Sequence, residues 1–366
     1  MNDFVITATR SMKGYASRVV KYVTNTPRFS NSAKGINGVE LLKPERFADG
    51  EMEVTVNESV RGKDVVLFAN CARNDAGIGV EEARVELYHA VDALKRSQAR
   101  KIIVFEPFIS SSRSDRATRR NSVGLWIHFK ILASLGVKHI LTYQLHSNKS
   151  VSMLDPTICA IDNIPVFNLV KRYLCDTYIH DLKTLQEEVR NTWAFCSVDA
   201  GGEKLTKEFA NAFGAPLVVA HKQRDYSKIN TIESINILSA EPIEGKILWI
   251  VDDMIDTASS IESLIKALAP LRPREINIIA AHAIFSPPAA QRLNKLSEEK
   301  LLNRIIVADT VSASALSEVL QRIEIVPSAE LSAGIIRILV LHESLSKLLL
   351  PFNAEKYLKS PGLFSG

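Results

Sequence analysis

The feature that most constrains the fold is an alternation of short apolar runs with longer amphipathic stretches along the 366 residues. The apolar runs are rich in Val, Ile and Leu, without the polar alternation of a half-exposed strand, which is typical of strands buried in a parallel sheet. The predicted strands are 65–69, 102–105, 139–143, 193–198, 217–220, 247–251, 276–284 and 304–308. The pattern predicts an α/β protein with right-handed crossover connections.

The stretches between these runs repeat apolar residues at three- and four-residue steps, as helices that cover a sheet do. Between residues 81 and 97, for example, Ala83, Leu87, Ala90 and Leu94 share one helical face. The predicted helices are 14–23, 81–97, 123–135, 203–213, 258–268, 288–295 and 330–349. Each predicted strand is therefore followed or preceded by a helix that can cover it.

The strand and helix pattern occurs twice, before and after the segment 155–168, which contains two prolines and turn-forming Asp and Asn residues. We therefore predict two α/β domains, residues 1–163 and 164–344. The C-terminal segment 345–366 is punctuated by Pro and Gly, and we predict that it completes the first domain.

Composition excludes several classes of protein. The chain is 46% hydrophobic and 23% charged, with a net charge of +4, and it has no dense basic stripe of the kind that binds nucleic acid. No run approaches the ~18 apolar residues of a membrane span, and the N-terminus has no signal-peptide core. Cys71, Cys159, Cys175 and Cys196 lack the spacing of zinc or redox pairs. These features predict a cytoplasmic protein with buried, reduced thiols.

An apolar strand that ends in acids is the strongest functional signal. The sequence ILWIVDDMIDTASS places Asp252 and Asp253 at the end of a predicted strand, where open α/β sheets bind their ligands. Thr257, Ser259 and Ser260 open the next helix, whose free N–H groups favour a phosphate. The acids could bind sugar hydroxyls or metal-bound waters, and the hydroxyls could donate to a phosphate. The alternative is a strand end followed by a simple helix cap.

This segment resembles the ribose 5-phosphate-binding loop of type I phosphoribosyltransferase-fold proteins, which reads roughly VDDMxDTxGT. The match covers Val251, Asp252, Asp253, Met254, Asp256 and Thr257. At Ser259 the family usually has Gly, which lets the backbone approach the phosphate closely. The resemblance implies a ribose 5-phosphate site formed by Asp252, Asp253, Asp256, Thr257, Ala258, Ser259 and Ser260.

A second segment, FADGEMEVTVNESVRGK, begins at Phe47 and is similar to the FxDGExxVxxxESVRGxDV segment of ribose-phosphate diphosphokinases. In that family its first part reaches the ATP of a neighbouring subunit. The resemblance implies that Phe47, Asp49 and Glu51 lie near the adenine of an adjacent protomer. From the residues alone, the DGE sequence would be a turn with solvated carboxylates.

Two further segments follow predicted strands of the second half. SVDAGGEKL, which begins at Ser197, resembles the family's SPDAGGxKR segment and makes Asp199 an implied magnesium ligand, directly or through water. LVVAHKQRD resembles the HKxR segment, which the family carries on a mobile loop that closes over ATP. The resemblance makes Lys222 and Arg224 the implied catalytic cations. A solvated basic loop is the alternative.

Two weaker matches lie in the first half. YQLHS resembles the family's MDLHA, with Gln144 in place of the acid, and implies that His146 holds a metal–ATP complex. PFISSSRSDRATRR resembles a PYxRQDKK-like segment, with Ser114 in place of Gln, and implies ATP contacts for Arg113 and Asp115. The arginines of this segment could instead form a regulatory anion site or a nucleic-acid patch.

Taken together, the motifs run in the family's order from about residue 40 to about residue 345. The resemblance implies two type I phosphoribosyltransferase-like domains, each a mainly parallel sheet flanked by helices. It also implies transfer of the diphosphoryl group of ATP to ribose 5-phosphate, with Mg²⁺ as cofactor. The partners it implies are ATP, ribose 5-phosphate and further copies of the chain in a homo-oligomer, often a hexamer, with the ATP site shared between subunits.

Two alternatives stay open. The first is a catalytically silent regulatory homologue that binds nucleotide or a partner synthase, which the substitutions at Ser114, Gln144 and Ser259 favour. The retained Asp199, Lys222 and Arg224 argue against a silent homologue. The second is a phosphoribosyltransferase, a class that does not need the FADGE and ESVRG sequences and whose base-recognition hood is not recognisable here.

Overall fold

The computed structural model describes residues 3–26, 29, 33–224, 232–312 and 316–362. Contacts between Cα atoms divide the chain into two compact units. The first unit comprises Met1–Pro165, Thr310–Ser312 and Pro327–Leu349. The second comprises Val166–Asp309, Ala313–Val326 and Leu350–Gly366. Each unit is built around its own sheet.

The strands and helices of the described residues follow one another in the alternation that the sequence predicts. The strands are β1 Phe4–Ala8, β2 Leu42–Arg46, β3 Met52–Val56, β4 Asp64–Phe68, β5 Lys101–Glu106, β6 His139–Tyr143, β7 Ala160–Ile164, β8 Trp193–Ser197, β9 Leu217–Arg224, β10 Ile232–Ser239, β11 Ile247–Ile255, β12 Glu275–Ala283, β13 Arg304–Ala308 and β14 Ile323–Val326. The main helices are α1 Lys13–Thr24, α2 Val80–Arg96, α3 Gly124–Ser134, α4 Phe167–Leu174, α5 Glu203–Phe213, α6 Ser259–Leu268, α7 Ala289–Glu298, α8 Ala329–Val340 and α9 Ala354–Lys359. Shorter helical segments are Arg10–Met12, Ala33–Ile36, Asn148–Met153, Cys175–Ile179, Leu182–Thr184, Leu185–Val189, Arg190–Thr192, Ala200–Gly202, Ala269–Leu271, Leu316–Val319 and Leu345–Leu349.

The first unit contains a five-stranded parallel sheet in the order β1-β4-β5-β6-β7. Apolar side chains of α2 and α3, such as Leu87 and Phe129, join one core with residues of β4, β5 and β6. On the other side Phe68 stacks on Phe105, which meets Tyr143 edge to face. Both faces of the sheet are thus buried, which explains why its strands are continuously apolar.

The second unit contains a seven-stranded sheet in the order β10-β9-β8-β11-β12-β13-β14, parallel except for the β9–β10 pair. Side chains of α6 and α7 join the core on one side, and Phe209 and Phe213 of α5 lie against Phe195 of β8 on the other. The chain leaves β8 towards β9 but leaves β11 towards β12. The carboxyl ends of these two neighbouring strands therefore form a topological switch point, where such sheets bind ligands.

The predicted fold class, two α/β units with mainly parallel sheets flanked by helices, is confirmed. The assignment of the C-terminal region differs from our prediction. Helix α8, which we placed in the second domain, belongs to the first unit, where the Ser332 hydroxyl bonds to that of Tyr143 at 2.7 Å. The segment Leu350–Gly366, which we placed in the first domain, belongs to the second, where Tyr357 donates to Asp176.

Candidate functional site

The acids of the second unit lie where β8 and β11 end. Strand β11 does not stop with its apolar run but continues to Ile255, so that Asp252 and Asp253 are part of the strand. Val251 pairs with Ser197, the last residue of β8. Because the strands are parallel, Asp252 and the turn that follows Ser197 meet at the carboxyl edge of the sheet. The structure therefore brings Asp199 to the same edge as the acid pair.

The three carboxylates influence one another. Burial raises the pKa of Asp252 well above its ordinary value, and the charges of Asp253 and Asp199 raise it further. The backbone N–H of Asp253 donates to Asp252 Oδ1 at 2.9 Å and opposes the shift. A partly buried group of like charges is unfavourable unless a cation or hydrogen-bond donors compensate it. The arrangement suits a ligand with several hydroxyl groups, or a divalent cation.

The turn after β8 has a fixed shape. Asp199 caps the short helical turn Ala200–Gly202 by accepting a hydrogen bond from the Gly202 N–H at 3.1 Å. A Cβ atom at Gly201 would lie 3.2 Å from the Asp199 carboxylate, so the absence of a side chain there leaves it room. The buried hydroxyl of Ser197 has no hydrogen-bond partner among the described residues. A buried hydroxyl of this kind normally finds a water or ligand partner.

The loop between β11 and α6 turns through a left-handed residue. Ala258 has φ 58° and ψ 11°, and helix α6 begins at the next residue, Ser259. The N-cap of α6 is thus an alanine, whose methyl group cannot accept from the first N–H groups of the helix. Those groups remain suited to an anion at the carboxyl edge of the sheet. Asp256 and Thr257 lie in the same loop, Asp256 partly buried and Thr257 exposed.

Sequence reasoning missed one residue of this site, Arg292 of α7. Its Nη1 donates to the carbonyl oxygen of Thr257 at 2.8 Å, and its Nε lies 3.2 Å from Glu262 Oε2. Glu262 is on α6 and also accepts from Lys266 at 2.6 Å. Arg292 therefore ties α7 to both the loop and the helix that follows it. No motif could have found it, because the carbonyl that it binds is present in every residue type.

The two predicted catalytic cations lie in a strand and not in a loop, which corrects part of our prediction. Strand β9 continues to Arg224 and pairs with β10. Val219 pairs with Ser197, so the backbone of Lys222 and Arg224 extends past the carboxyl end of β8. A partner strand continues the hydrogen bonding there, which the apolar run 217–220 does not reveal. The side chains of both residues lie outside the described part of the chain.

Residues of the first unit that were predicted to contact ATP follow two neighbouring strands. Arg113 and Asp115 lie in the segment after β5, and His146 lies after β6. These parallel strands are neighbours, so the three residues follow the same edge of the first sheet. Arg113 and His146 are exposed, and Asp115 is partly buried. The structure thus places them after neighbouring strand ends, and their contact with ATP stays a prediction.

The segment after β5 is held by α2 and α3. Arg84 of α2 donates to the hydroxyl oxygens of Ser110 and Ser111 at 2.7 and 2.9 Å. The hydroxyl oxygen of Ser114 accepts from the N–H of Gly124, the first residue of α3, at 3.0 Å. Ser114, which stands where the family has Gln, therefore supports the segment from within. The hydrogen bonds of Ser110, Ser111 and Ser114 hold the backbone of this segment in place, which the motif comparison did not predict.

The segment after β6 also has a fixed backbone. Gln144 adopts a left-handed conformation with φ 42°, and its N–H donates to the Ile164 carbonyl at 3.1 Å. The N–H of Leu145 donates to Asn163 Oδ1 at 2.9 Å. These bonds to β7 place the exposed His146 directly beyond the edge of the sheet.

The segment with Phe47, Asp49 and Glu51 forms the tip of the β2–β3 hairpin. The Phe47 ring is 49% exposed, and the N–H of Glu51 donates to Asp49 Oδ1 at 3.1 Å. At the base of the tip, Arg46 pairs with Glu82 of α2 at 2.9 Å. Arg46, Glu51 and Glu82 line a cleft of about 610 Å³ against α2. The turn expected from the residues is present, and its side chains face away from the unit's core.

The acid group is chemically suited to Mg²⁺. In the residues that the structure describes, no three His, Cys, Asp or Glu side chains are arranged to hold a metal ion by themselves. Mg²⁺ keeps several waters and shares its coordination with substrate phosphates, so one or two carboxylates are enough. Asp199 lies beside the mutually repelling acids and fits this role. His146 belongs to the other unit and is exposed at its strand end.

A parallel α/β sheet with acids and a capless helix at its switch point defines the class of α/β proteins suited to phosphate-bearing ligands at the carboxyl edge of the sheet. The chain belongs to the ribose-phosphate pyrophosphokinase family. Residues 4–136 match the N-terminal domain of ribose phosphate pyrophosphokinase, and residues 179–310 match the phosphoribosyl transferase domain. The resemblance that the motifs indicated is thereby confirmed.

Known proteins resemble the chain over most of its length. A ribose-phosphate pyrophosphokinase from Neisseria meningitidis serogroup A is 32% identical over 85% of this chain and 86% of its own length. One from Prochlorococcus marinus is 32% identical over 79% of this chain and 80% of its own length. A crystal structure of phosphoribosylpyrophosphate synthetase from Mycobacterium smegmatis has a TM-score of 0.77 at 23% identity, covering 93% of this chain and 100% of that chain. This last likeness shows the fold.

Proposed function

We propose that the chain transfers the β,γ-diphosphoryl group of ATP to the 1-hydroxyl of ribose 5-phosphate and releases AMP. The observation that carries the proposal is the loop 252–260 at the switch point of the second sheet, in a chain of this family. The reaction joins a phosphorylated sugar to a charged donor, and it is promoted mainly by positioning and by electrostatic stabilisation.

Ribose 5-phosphate occupies the second unit in this proposal. The carboxylates of Asp252 and Asp253 accept hydrogen bonds from the ribose hydroxyls, which supplies the donors that the buried acid group needs. The 5-phosphate lies at the N-terminus of α6, where the backbone N–H groups of Ala258, Ser259 and Ser260 donate to it. Asp256 and Thr257 complete the loop, with the Thr257 hydroxyl as a further donor.

ATP is bound by residues of the first unit. Arg113, Asp115 and His146 follow the carboxyl ends of β5 and β6, and Arg113 suits the oxygens of a triphosphate. The hairpin tip with Phe47, Asp49 and Glu51 is exposed, which favours contact with the adenine of ATP on a second copy of the chain. The proposal therefore includes a homo-oligomer, for which a hexamer is the expected size.

Lys222 and Arg224 are the proposed catalytic residues. A lysine offers a compact charge and an arginine offers a planar fork, and together they stabilise the charge that develops on the transferred phosphoryl oxygens. Mg²⁺ held by Asp199 would supply further positive charge to the phosphate oxygens of ATP. The carboxylate of Asp199 is already oriented for this by the Gly202 N–H. For His146, the family resemblance supports a role in binding a metal–ATP complex at the first unit.

We also propose a cytoplasmic location. All four cysteines are unpaired and buried, as expected in a reducing compartment. Within the described ranges, none of the helices combines the length and apolar character that a membrane span requires. Subcellular fractionation, with a marker protein for each compartment, would test the location directly.

The decisive experiment measures AMP release from ATP and Mg²⁺ by the purified chain, with and without ribose 5-phosphate. We expect AMP only when the sugar phosphate is present, and we expect Asp199→Asn to raise the Mg²⁺ concentration needed for half-maximal rate. A folded chain that binds ribose 5-phosphate but forms no AMP would contradict the proposal. That result would favour the regulatory homologue, and a search for its partner synthase would follow.

A further inference from the structure

Arg292 of α7 contacts the phosphate-binding loop 252–260 through the loop's backbone. Its Nη1 donates to the Thr257 carbonyl at 2.8 Å, across 35 residues of sequence. Its Nε is 3.2 Å from Glu262 Oε2, which holds the guanidinium in place from the side of α6. The side chain is 31% exposed, so the contact is partly shielded from water.

The direction of one peptide group follows from this contact. In a trans peptide the carbonyl oxygen and the next N–H point in opposite directions. With the Thr257 oxygen held towards α7, the N–H of Ala258 points away from α7. Ala258 is left-handed and Ser259 begins a helix, a succession that turns consecutive N–H groups into one concave surface.

The loop conformation needs external support. A left-handed alanine is strained, and such residues persist where their surroundings hold them. Ala258 is 5% exposed, and its methyl group belongs to the core of the second unit. The core therefore holds one side of this residue, and Arg292 holds the peptide that precedes it.

We propose that Arg292 is a positioning residue, which holds the Thr257–Ala258 peptide so that the loop's N–H groups face the phosphate of ribose 5-phosphate. This rests on the proposed function of the same loop. Arg292 acts through the Thr257 carbonyl and not by contact with the sugar phosphate. Its removal should therefore weaken ribose 5-phosphate binding and leave the phosphoryl transfer step largely intact.

The test compares Arg292→Met with the wild-type chain in the AMP-release assay. We expect the KM for ribose 5-phosphate to rise about 10- to 30-fold, as for loss of a charge-assisted hydrogen bond. The kcat at saturating ribose 5-phosphate and the KM for ATP should stay within about twofold. Calorimetric titration with ribose 5-phosphate should show the same loss of affinity. If Arg292→Met does not fold, Arg292→Gln serves, because its side chain is too short to make both contacts.

Two control variants separate this role from general stability. Arg304 is similarly exposed and pairs with Glu275 at 2.9 Å, but it lies at the amino end of β13, away from the loop. Arg304→Met should leave the KM for ribose 5-phosphate unchanged. Glu262→Gln removes the ion pair but leaves the Thr257 contact, and it should change that KM less than threefold. A rise in the KM for ribose 5-phosphate on Arg304→Met as large as that on Arg292→Met would overturn the proposal.

Salt distinguishes positioning from direct attraction of the phosphate. A backbone positioned by Arg292 gives a KM ratio between variant and wild type that is the same at about 50 mM and about 500 mM salt. A ratio that falls towards one at high salt would show direct charge attraction and overturn the proposal. An unchanged KM in a folded Arg292 variant would also overturn it. Failure of the wild-type chain itself to bind ribose 5-phosphate would instead refute the proposed function.

Discussion

A lysine buried in the second unit offers a test of the energetics. Lys171 lies on α4 and is 2% exposed, with its Nζ 4.6 Å from the centre of the Phe209 ring. Burial lowers the pKa of Lys171 from the ordinary 10.5 to about 8, an effect that the charge of Glu208 partly opposes. Replacing Lys171 by Met keeps most of the side-chain volume and removes the buried charge.

The expected gain follows from the lowered pKa. A fall from 10.5 to about 8 corresponds to a cost of about 3 kcal/mol for the charged form in the folded state. We therefore expect Lys171→Met to raise the free energy of unfolding of the second unit by about 3 kcal/mol at pH 7.

The gain should depend on pH with a definite sign. Between pH 8 and 10.5 the unfolded chain holds a proton on Lys171 that the folded chain has lost, so rising pH stabilises the folded wild type. The cost of the buried charge is complete below pH 8 and disappears as the pH approaches 10.5. The advantage of Lys171→Met should therefore shrink from about 3 kcal/mol towards zero across this window.

Urea unfolding followed by tryptophan fluorescence measures this difference. Trp193 and Trp249 are buried in the second unit and Trp126 is exposed in the first, so a Trp126→Phe background reports the second unit alone. Lys207→Met is the matched control, because Lys207 is exposed on α5. A Lys171→Met advantage that stays constant from pH 7 to pH 10.5, or a variant less stable than wild type at pH 7, would refute the reasoning.

Three further predictions concern catalysis and the first unit. Lys222→Ala and Arg224→Ala should each lower kcat by about 100-fold or more in the AMP-release assay, and unchanged turnover in both would remove them from the mechanism. Ser332→Ala should lower the free energy of unfolding by about 1–3 kcal/mol in urea, because its hydroxyl lies within 2.8 Å of two buried tyrosine hydroxyls. His128→Leu should cost about 3 kcal/mol in the same assay, since the buried Glu106 carboxylate loses its 2.7 Å partner; a loss below about 1 kcal/mol would contradict this.

The central strands of both sheets were predictable because they are continuously apolar. The run 276–284 became β12, Glu275–Ala283, almost without change. The run 247–251 became the longer β11, which continues to Ile255. The acids at 252 and 253 end the apolar signal, but they do not end the hydrogen bonds to β12. Hydrophobicity therefore locates the centre of such a strand, but it predicts a carboxyl end that is too early and omits the polar residues of the candidate site.

The edge strands were missed for a related reason. β7 has the sequence AIDNI and lies inside the segment 155–168 that we interpreted as a domain boundary. Its polar residues and the flanking prolines predict a turn, yet backbone pairing with β6 makes it the edge of the first sheet. β14, Ile323–Val326, is similarly short and lies at the edge of the second. Short edge strands depend on their partner strand, and their own sequence carries little of that information.

In the candidate site, too, some residues could be predicted from the sequence and others are visible only in the fold. The acids and hydroxyl groups of loop 252–260 are close in sequence, so the residues themselves suggested a site for sugar hydroxyls and a phosphate beside the alternative of a helix cap, and the family resemblance favoured the ribose 5-phosphate site. Arg292 reaches that loop from 35 residues away and binds a backbone carbonyl, which places no demand on the residue at position 257. Ser114 stands where the family has Gln, but its bond to the Gly124 N–H is visible only in the fold. Contacts with backbone groups are thus the part that a motif cannot contain.

The phosphate loop departs from the family pattern at Ser259, and the structure shows what this position requires of its backbone. The sequence comparison draws attention to Ser259, but that residue has a helical backbone that any residue can adopt. The left-handed residue is Ala258, where the conformation costs about 1–2 kcal/mol. Burial of its methyl group returns about 0.8 kcal/mol, and a glycine there would lose more backbone entropy on folding. Alanine at 258 is therefore close to neutral relative to glycine. The backbone of position 259 does not require glycine, so the substitution there favours a silent homologue only through the side chain that Ser259 brings towards the phosphate.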